Sequence, residues 1–343
     1  MIIDSRYQVI ERLGMGAWAI VYKVRDLRTD KVFALKVFQK LDAESIYEKF
    51  SAEDMFLITQ IDHPNLIKVL NFGNSERHIY YLSEYYEGKT LSDFIFTSAN
   101  INDLYNIIVQ VCYGLDELHR LNIVHKDLKP DNIMYRLEDG ELKVKILDFG
   151  FTKVDLQKNQ QSISGTLPYI APEIYRGNKG VPESDFYALG VTLYRVTTGT
   201  LPYTLEQLSD MITGSRSSLF PKFPRDINPA IPAKLEKLIL KLLEKNREDR
   251  FSDARSIIAY VNRIQTHQYL FSLKFSLVNS IQNNSYLLRE NYTHDLLDYI
   301  PLVEKHNGKV VVMSGEEGLG KDNSLTLFRY HLLTNHYHLF DYT

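Results

Sequence analysis

Cysteine is almost absent: the 343 residues hold one, Cys112. A single thiol excludes an internal disulfide, and its apolar setting in an expected helix reads as packing rather than reactivity. Also missing is any apolar run of the ~20 residues needed to cross a bilayer, so no membrane span is expected. The first residues, Met1-Ile2-Ile3-Asp4-Ser5-Arg6, lack the apolar core of a secretory leader. Neither sign of charge dominates, since 40 Lys and Arg against 43 Asp and Glu leave a net charge of −3. Binding to nucleic acid or to a membrane surface by charge alone is therefore not expected. Internal repeats and low-complexity tracts are lacking too. These absences together predict a cytoplasmic protein of ordinary globular type. With 44% hydrophobic residues the chain has ample material for a core.

The first 85 or so residues are β-prone in short runs: Tyr7 to Leu13, Ala19 to Arg25, Val32 to Phe38, Leu66 to Phe72 and His78 to Glu84. One helical stretch interrupts them, Ala43 to Gln60, with Ile46, Phe50, Leu57 and Ile61 at spacings of four and seven. After Leu91 the texture turns helical. Leu104 to Leu121 reads as a buried helix, Ser184 to Thr198 as another, and Ile231 to Glu244 as an amphipathic one. Prolines punctuate the loops between them. The fold class expected is α+β: a small β-rich lobe carrying one helix, then a larger helical lobe. From about Gln265 a polar and aromatic connector leads to a strand, Val310 to Met313, and a glycine-rich turn.

Four segments carry chemistry. Leu13-Gly14-Met15-Gly16-Ala17-Trp18-Ala19-Ile20-Val21 lies between two expected strands. Glycines there let backbone approach a phosphate closely, although alone the run reads equally as a tight hairpin turn. Phe33-Ala34-Leu35-Lys36 ends an apolar strand in a lysine able to reach phosphates. His125-Lys126-Asp127-Leu128-Lys129-Pro130-Asp131-Asn132-Ile133-Met134 puts a carboxylate, a lysine two residues on and an amide five residues on into one loop. The carboxylate can take a proton, the lysine can hold a γ-phosphate and the amide can bind metal. Asp148-Phe149-Gly150 places a carboxylate at a strand end, suited to Mg²⁺.

In this order the four segments resemble the protein kinase signature set. The resemblance extends to Ala171-Pro172-Glu173, to Asp185 in a central helix, and to Arg250 as the partner of Glu173. It implies a bilobal protein-kinase fold over residues 7–265, with the small lobe at about 7–83, a hinge at about 84–88 and the large lobe at about 89–265. It implies ATP and Mg as cofactors and protein serine or threonine hydroxyls as acceptors. By resemblance Gly14 and Gly16 cover the phosphates, and Leu13 belongs to the same nucleotide-binding set. Lys36 pairs with the α- and β-phosphates, and Val21, Ala34 and Met134 sandwich the adenine. Glu84 to Tyr86 supply hinge backbone behind a small gatekeeper, Ser83. Asp127 is the expected catalytic base, Lys129 contacts the γ-phosphate, and Asn132 and Asp148 hold the metal. Lys36 needs a helix carboxylate: counting favours Glu53, with Asp54 as the alternative. Lys129 together with Gly165-Thr166 resembles the serine/threonine class.

Two positions depart from the pattern. Ala19 stands where a third glycine is usual, which a loop can tolerate. Lys126 stands where an arginine usually grips a phosphorylated activation loop, and lysine lacks that bidentate geometry. Activity is therefore expected to depend little on phosphorylation of Ser162 or Ser164.

Gly315-Glu316-Glu317-Gly318-Leu319-Gly320-Lys321-Asp322 resembles a phosphate-binding Walker loop. Asp322 replaces its metal-binding hydroxyl, which argues against a working nucleotide site. With Arg289-Glu290 upstream, the stretch resembles the opening of an ATPase domain fused behind some bacterial kinases. The expectation is a linker at 266–285 and a truncated P-loop ATPase-like α/β fragment at 286–343, a place for further contacts. Against the kinase reading stand an ATP-binding pseudokinase or scaffold and an NTP-driven C-terminal switch. Lys36, Asp127, Asn132 and Asp148, all intact, favour the enzyme.

Overall fold

The computed structural model describes residues 1–16, 19–38, 52–74, 79–149, 167–213 and 220–265. The chain divides into two compact units. Of the described residues, one takes Met1–Asp62 and Lys68–Tyr86, the other His63–Ile67 and residues 87–265. The expected calls on residues 39–51, 150–166 and 266–343 lie outside the described residues. These include the first part of the helix, Gly150, Ser162, Ser164, Gly165-Thr166, the linker and the Walker-like loop.

The first unit is built on a six-stranded antiparallel sheet: β1 (Ile2–Ile3), β2 (Tyr7–Met15), β3 (Ala19–Asp26), β4 (Val32–Phe38), β5 (Val69–Asn74) and β6 (Ile79–Glu84). Their order across the sheet is β1-β2-β3-β4-β6-β5. Period-2 alternation sorts the side chains to two faces. One face buries Val24, Leu35, Val37, Tyr80 and Leu82 with Ile3 and Tyr7. On the other face the register aligns Val21 with Lys36 and Tyr81, and Lys23 with Ala34 and Ser83. The hairpin that returns β1 onto β2 turns through Asp4 and Ser5, both at positive φ. Arg6 then closes the end of the sheet with two bonds to the buried Asp26, 3.0 and 2.8 Å. Among the described residues this unit holds one helix, α1 (Ala52–Gln60), which buries Met55 and Ile58.

The second unit holds the small sheet β7 (Lys89–Thr90), β8 (Ile133–Glu138) and β9 (Glu141–Ile146). Its helices are α2 (Ile101–Arg120), α3 (Pro172–Tyr175), α4 (Pro182–Thr198), α5 (Leu205–Thr213), α6 (Pro224–Ile227), α7 (Ala233–Leu242) and α8 (Ala254–Ile264). The longest, α2, buries eleven of its residues, Cys112 among them. Close backbone approach is achieved with glycine. A Cβ on Gly190 of α4 would stand 2.8 Å from Leu242 Cβ on α7, and one on Gly114 of α2 would stand 3.1 Å from the Asn65 carbonyl. Asp253 caps α8, accepting from the Ser256 N–H at 2.7 Å.

Several boundaries differ from the sequence expectation. The strand expected from Leu66 begins at Val69. Residues 65–67 are instead pinned to β9, with Ile67 N–H donating to the Ile146 carbonyl and Ile146 N–H to that of Asn65, both at 2.9 Å. The helix expected from Leu104 starts at Ile101, because Asn102 and Asp103 occupy a first turn where polarity is tolerated. The helix expected from Ser184 starts at Pro182, with proline favoured in a first turn. The one expected over 231–244 runs only from Ala233 to Leu242, because Pro232 is its N-cap.

Candidate active site

The loop between α2 and β8 is fixed from beneath by one buried carboxylate. Asp185, 1% exposed on α4, accepts the N–H of His125 at 2.8 Å and that of Lys126 at 2.9 Å. His119 Nε2 of α2 also reaches it, at 2.8 Å. These bonds hold Lys126 in the left-handed region, φ 66°, a costly conformation for a residue with a Cβ.

His125 is the second support and is fully buried. Its Nδ1 accepts the Asp127 N–H at 3.2 Å, so Nε2 must carry the proton it donates to the Leu147 carbonyl, 2.8 Å away. One imidazole thus ties the loop to the segment that carries Asp148.

Asp127 is the group so held. Lys129 Nζ donates to both of its carboxylate oxygens, at 3.1 and 2.9 Å. Asn132 Nδ2 donates to the Asp127 carbonyl at 2.7 Å and to its Oδ2 at 3.0 Å. A 3-10 turn over Pro130–Asn132 brings the amide back toward Asp127, which is why a spacing of five works.

Asn132 and Asp148 supply hard oxygen donors. The Leu147 N–H donates to the Asn132 carbonyl at 2.8 Å, so the two segments run side by side. The amide nitrogen of Asn132 is spent on Asp127, which leaves its Oδ1 as an acceptor. Asp148 sits at φ 57°, another strained backbone position. Among the described residues there is no cluster of three or more His, Cys, Asp or Glu able to cage an ion. An amide oxygen and a carboxylate suit Mg²⁺, which binds through few protein groups and keeps water and phosphate as its other ligands. Met134 follows on β8, half-buried.

In the first unit, Val21, Ala34, Lys36 and Ser83 share one face of the sheet by register. Lys36 is half-buried, with Nζ 5.9 Å from the centroid of the Tyr81 ring. Leu13 is exposed near the end of β2. Neither Gly14 nor Gly16 is at positive φ. A Cβ on Gly14 would meet nothing within 4 Å among the described residues, and one on Gly16 only the Ala19 carbonyl at 3.7 Å. Among the described residues, neither packing nor backbone conformation requires glycine there. That leaves room for a ligand to approach the backbone, as phosphates need. Glu84 is fixed twice by Lys68: its N–H donates to the Lys68 carbonyl at 2.9 Å, and its Oε1 accepts the Lys68 N–H at 2.8 Å. Tyr86 is buried. Glu53 and Asp54 both stand exposed in the first turn of α1.

A third element secures the second unit. Arg250 uses all five of its N–H groups: two on the Glu173 carboxylate at 2.8 Å each, and the rest on the carbonyls of Glu244, Glu183 and Lys245. The Ser184 hydroxyl also donates to Glu173, at 2.7 Å. Reading the sequence did not single out His119, Ser184 or the Lys68–Glu84 clasp, because nothing local marks their partners.

Known proteins resemble this chain in sequence and in fold. The protein kinase domain family is matched over residues 7–270. The serine/threonine-protein kinase PrkC of Bacillus subtilis is 29% identical over 264 residues, 75% of this chain and 40% of that protein. A probable serine/threonine-protein kinase of Clostridium perfringens is 30% identical over 272 residues, 77% of this chain and 39% of its own length. The chain thus spans about two-fifths of the length of these relatives. Among solved structures, the kinase domain of PknI from Mycobacterium tuberculosis superposes with a TM-score of 0.59 at 21% identity, covering 77% of this chain and 98% of that one. This likeness is one of fold.

Proposed function

The chain belongs to the protein kinase domain family, and from that premise we propose that it is an ATP- and Mg-dependent serine/threonine protein kinase. The observation that carries the proposal is Asp127, fixed by His125 beneath it and clasped by Lys129 and Asn132. A carboxylate so held can orient an acceptor hydroxyl and take its proton as the oxygen bonds to the γ-phosphorus. The bond from that phosphorus to the bridging oxygen breaks in the same event, and ADP leaves. Lys129, already at Asp127, meets the charge of the γ-phosphoryl group during transfer.

Lys36 pairs with the α- and β-phosphates and takes Glu53 as its partner. Gly14 and Gly16 cover the phosphates with backbone, and Leu13 beside them completes the nucleotide-binding set. Val21, Ala34 and Met134 flank the adenine, and the backbone of Glu84 and Tyr86 hydrogen-bonds its edge. Asn132 Oδ1 and the Asp148 carboxylate hold Mg²⁺, which when bound offsets the charge of the phosphates.

The kinase domain occupies residues 7–265, followed by a linker at 266–285 and an ATPase-like fragment at 286–343. This last assignment rests on sequence alone. Protein substrates follow from the family. No helix among the described residues is long and apolar enough to cross a membrane, and we place the activity in the cytoplasm.

The test is transfer of label from γ-labelled ATP to a generic basic protein, followed by identification of the modified amino acid. Phosphoserine and phosphothreonine that vanish when Mg²⁺ is chelated support the proposal. Transfer no greater than that of Asp127→Asn would favour a scaffold that only binds ATP.

A further inference from the structure

Lys23 is one basic residue that the roles above leave unused. It lies on β3 two residues after Val21, and its register partner on β4 is Ala34. Side chains two apart on a strand, or directly opposite across an antiparallel pair, share a face. Lys23 therefore stands on the same sheet face as the two residues assigned to the purine. Its ammonium lies 4.3 Å from the centroid of the Tyr85 ring, within range for a cation–π contact. Glu11 Oε1 of β2 stands 3.4 Å from the Lys23 Nζ, and the Lys23 side chain is only 24% exposed. Tyr85 is the residue between Glu84 and Tyr86, the two assigned to hydrogen-bond the purine edge through their backbone.

We infer that Lys23 is a positioning residue for the nucleotide: it holds the Tyr85 ring against β3 and so fixes the flanking peptide groups of Glu84 and Tyr86 in the orientation a purine requires. The inference rests on the nucleotide-binding reading of that face and deepens it. Two features of the structure agree with it. Lys68 immobilises the Glu84 side of the segment through two hydrogen bonds, and Lys23 contacts the ring of the next residue. The Lys23 amine is also held more basic than an ordinary lysine, first by hydrogen bonding to the Tyr85 phenol, with Glu11 adding to it against the opposing effect of burial. It therefore stays charged across the working pH range. Fixing a binding segment before the ligand arrives lowers the cost of ordering it on binding. Such an effect appears in affinity and in KM rather than in the rate of the bound complex.

The experiment measures ADP binding by isothermal titration, and KM and kcat for ATP, with the full chain. The proteins compared are wild type, Lys23→Met, Lys23→Arg, Tyr85→Leu and the Lys23→Met/Tyr85→Leu double variant. A cation–π contact at the weak end of its range corresponds to about a threefold change in affinity. Lys23→Met and Tyr85→Leu are each expected to raise the ADP Kd and the ATP KM about threefold with kcat unchanged. Lys23→Arg is expected to stay near wild type, because a guanidinium keeps the stacking. The double variant is expected to be no worse than either single one, as for two halves of one interaction. Melting temperatures of the ligand-free proteins identify any variant that fails to fold, and Lys23→Arg with Tyr85→Leu then carries the comparison. If wild type binds ADP and Lys23→Met binds it equally well, or the two effects add in full, the inference is overturned. If wild type binds no ADP, the nucleotide reading itself fails.

Discussion

Arg250 and Glu173, 77 residues apart, meet through two parallel hydrogen bonds of 2.8 Å, with the arginine side chain fully buried. Burial alone would raise the Glu173 carboxyl, but the two Arg250 bonds, its charge and the Ser184 hydroxyl outweigh it, and the group is held below the usual glutamate range. Removing one partner strands the other's charge in a dry interior. Breaking such a pair costs roughly 3–5 kcal/mol. Arg250→Ala should therefore lower Tm by about 10 °C. Arg250→Lys should not restore it, because three donors cannot serve the acceptors that the guanidinium satisfies. Differential scanning calorimetry of the three proteins checks this.

At the far end of the first unit, Asp26 gives a pH signature. Bonds from Arg6 come first in lowering its carboxyl to about 2, with the Arg28 N–H and the Thr29 hydroxyl adding to them against burial. Because the folded value lies below the unfolded one, about 3.9, folding is favoured wherever the carboxylate is ionised. The stabilisation is fully present above about pH 5 and is lost as pH falls toward 2, for about 2 kcal/mol in all. Urea midpoints at pH 6, 4 and 2.5 should fall more steeply for wild type than for Asp26→Asn.

Two glycines separate packing from function. Gly190→Ala places a Cβ 2.8 Å from Leu242 Cβ and 3.2 Å from its backbone carbon, an overpacking expected to cost about 1–3 kcal/mol. Gly14→Ala meets no described atom within 4 Å and sits at ordinary φ. It should leave Tm within about 1 °C while raising the KM for ATP several-fold. Equal melting losses at the two positions would contradict both assignments.

The Tyr187 hydroxyl is buried without a hydrogen-bond partner among the described residues, beneath an Arg250 guanidinium 5.1 Å from its ring. An unsatisfied buried hydroxyl costs stability. Tyr187→Phe should leave the urea midpoint unchanged or raise it. A loss above about 1 kcal/mol would show that the hydroxyl is satisfied by bound water.

These sites differ in how far sequence reveals them. The stretch His125 to Met134 was legible because its chemistry is local: a tight turn after Lys129 returns Asn132 to Asp127 within five residues. Asp185 was legible only through resemblance, since its partners lie 59 and 60 residues away. The start of β5 was misread because 65–67 look β-prone but spend their backbone bonds on Ile146. Lys23 and Tyr85 carry no local signal at all, as only the register of β3, β4 and β6 brings them together. Glu53 and Asp54 are neighbours in a helix first turn, where spacing alone does not choose between them.

The most direct measurement compares phosphoryl transfer by wild type and Asp127→Asn under saturating ATP and Mg²⁺, with circular dichroism confirming equal folding. Asparagine keeps the shape of the side chain but cannot take the acceptor's proton. The account predicts that kcat falls by about 10²- to 10⁴-fold while ADP affinity holds within about twofold. Equal transfer by the two proteins, or none by wild type, would contradict it.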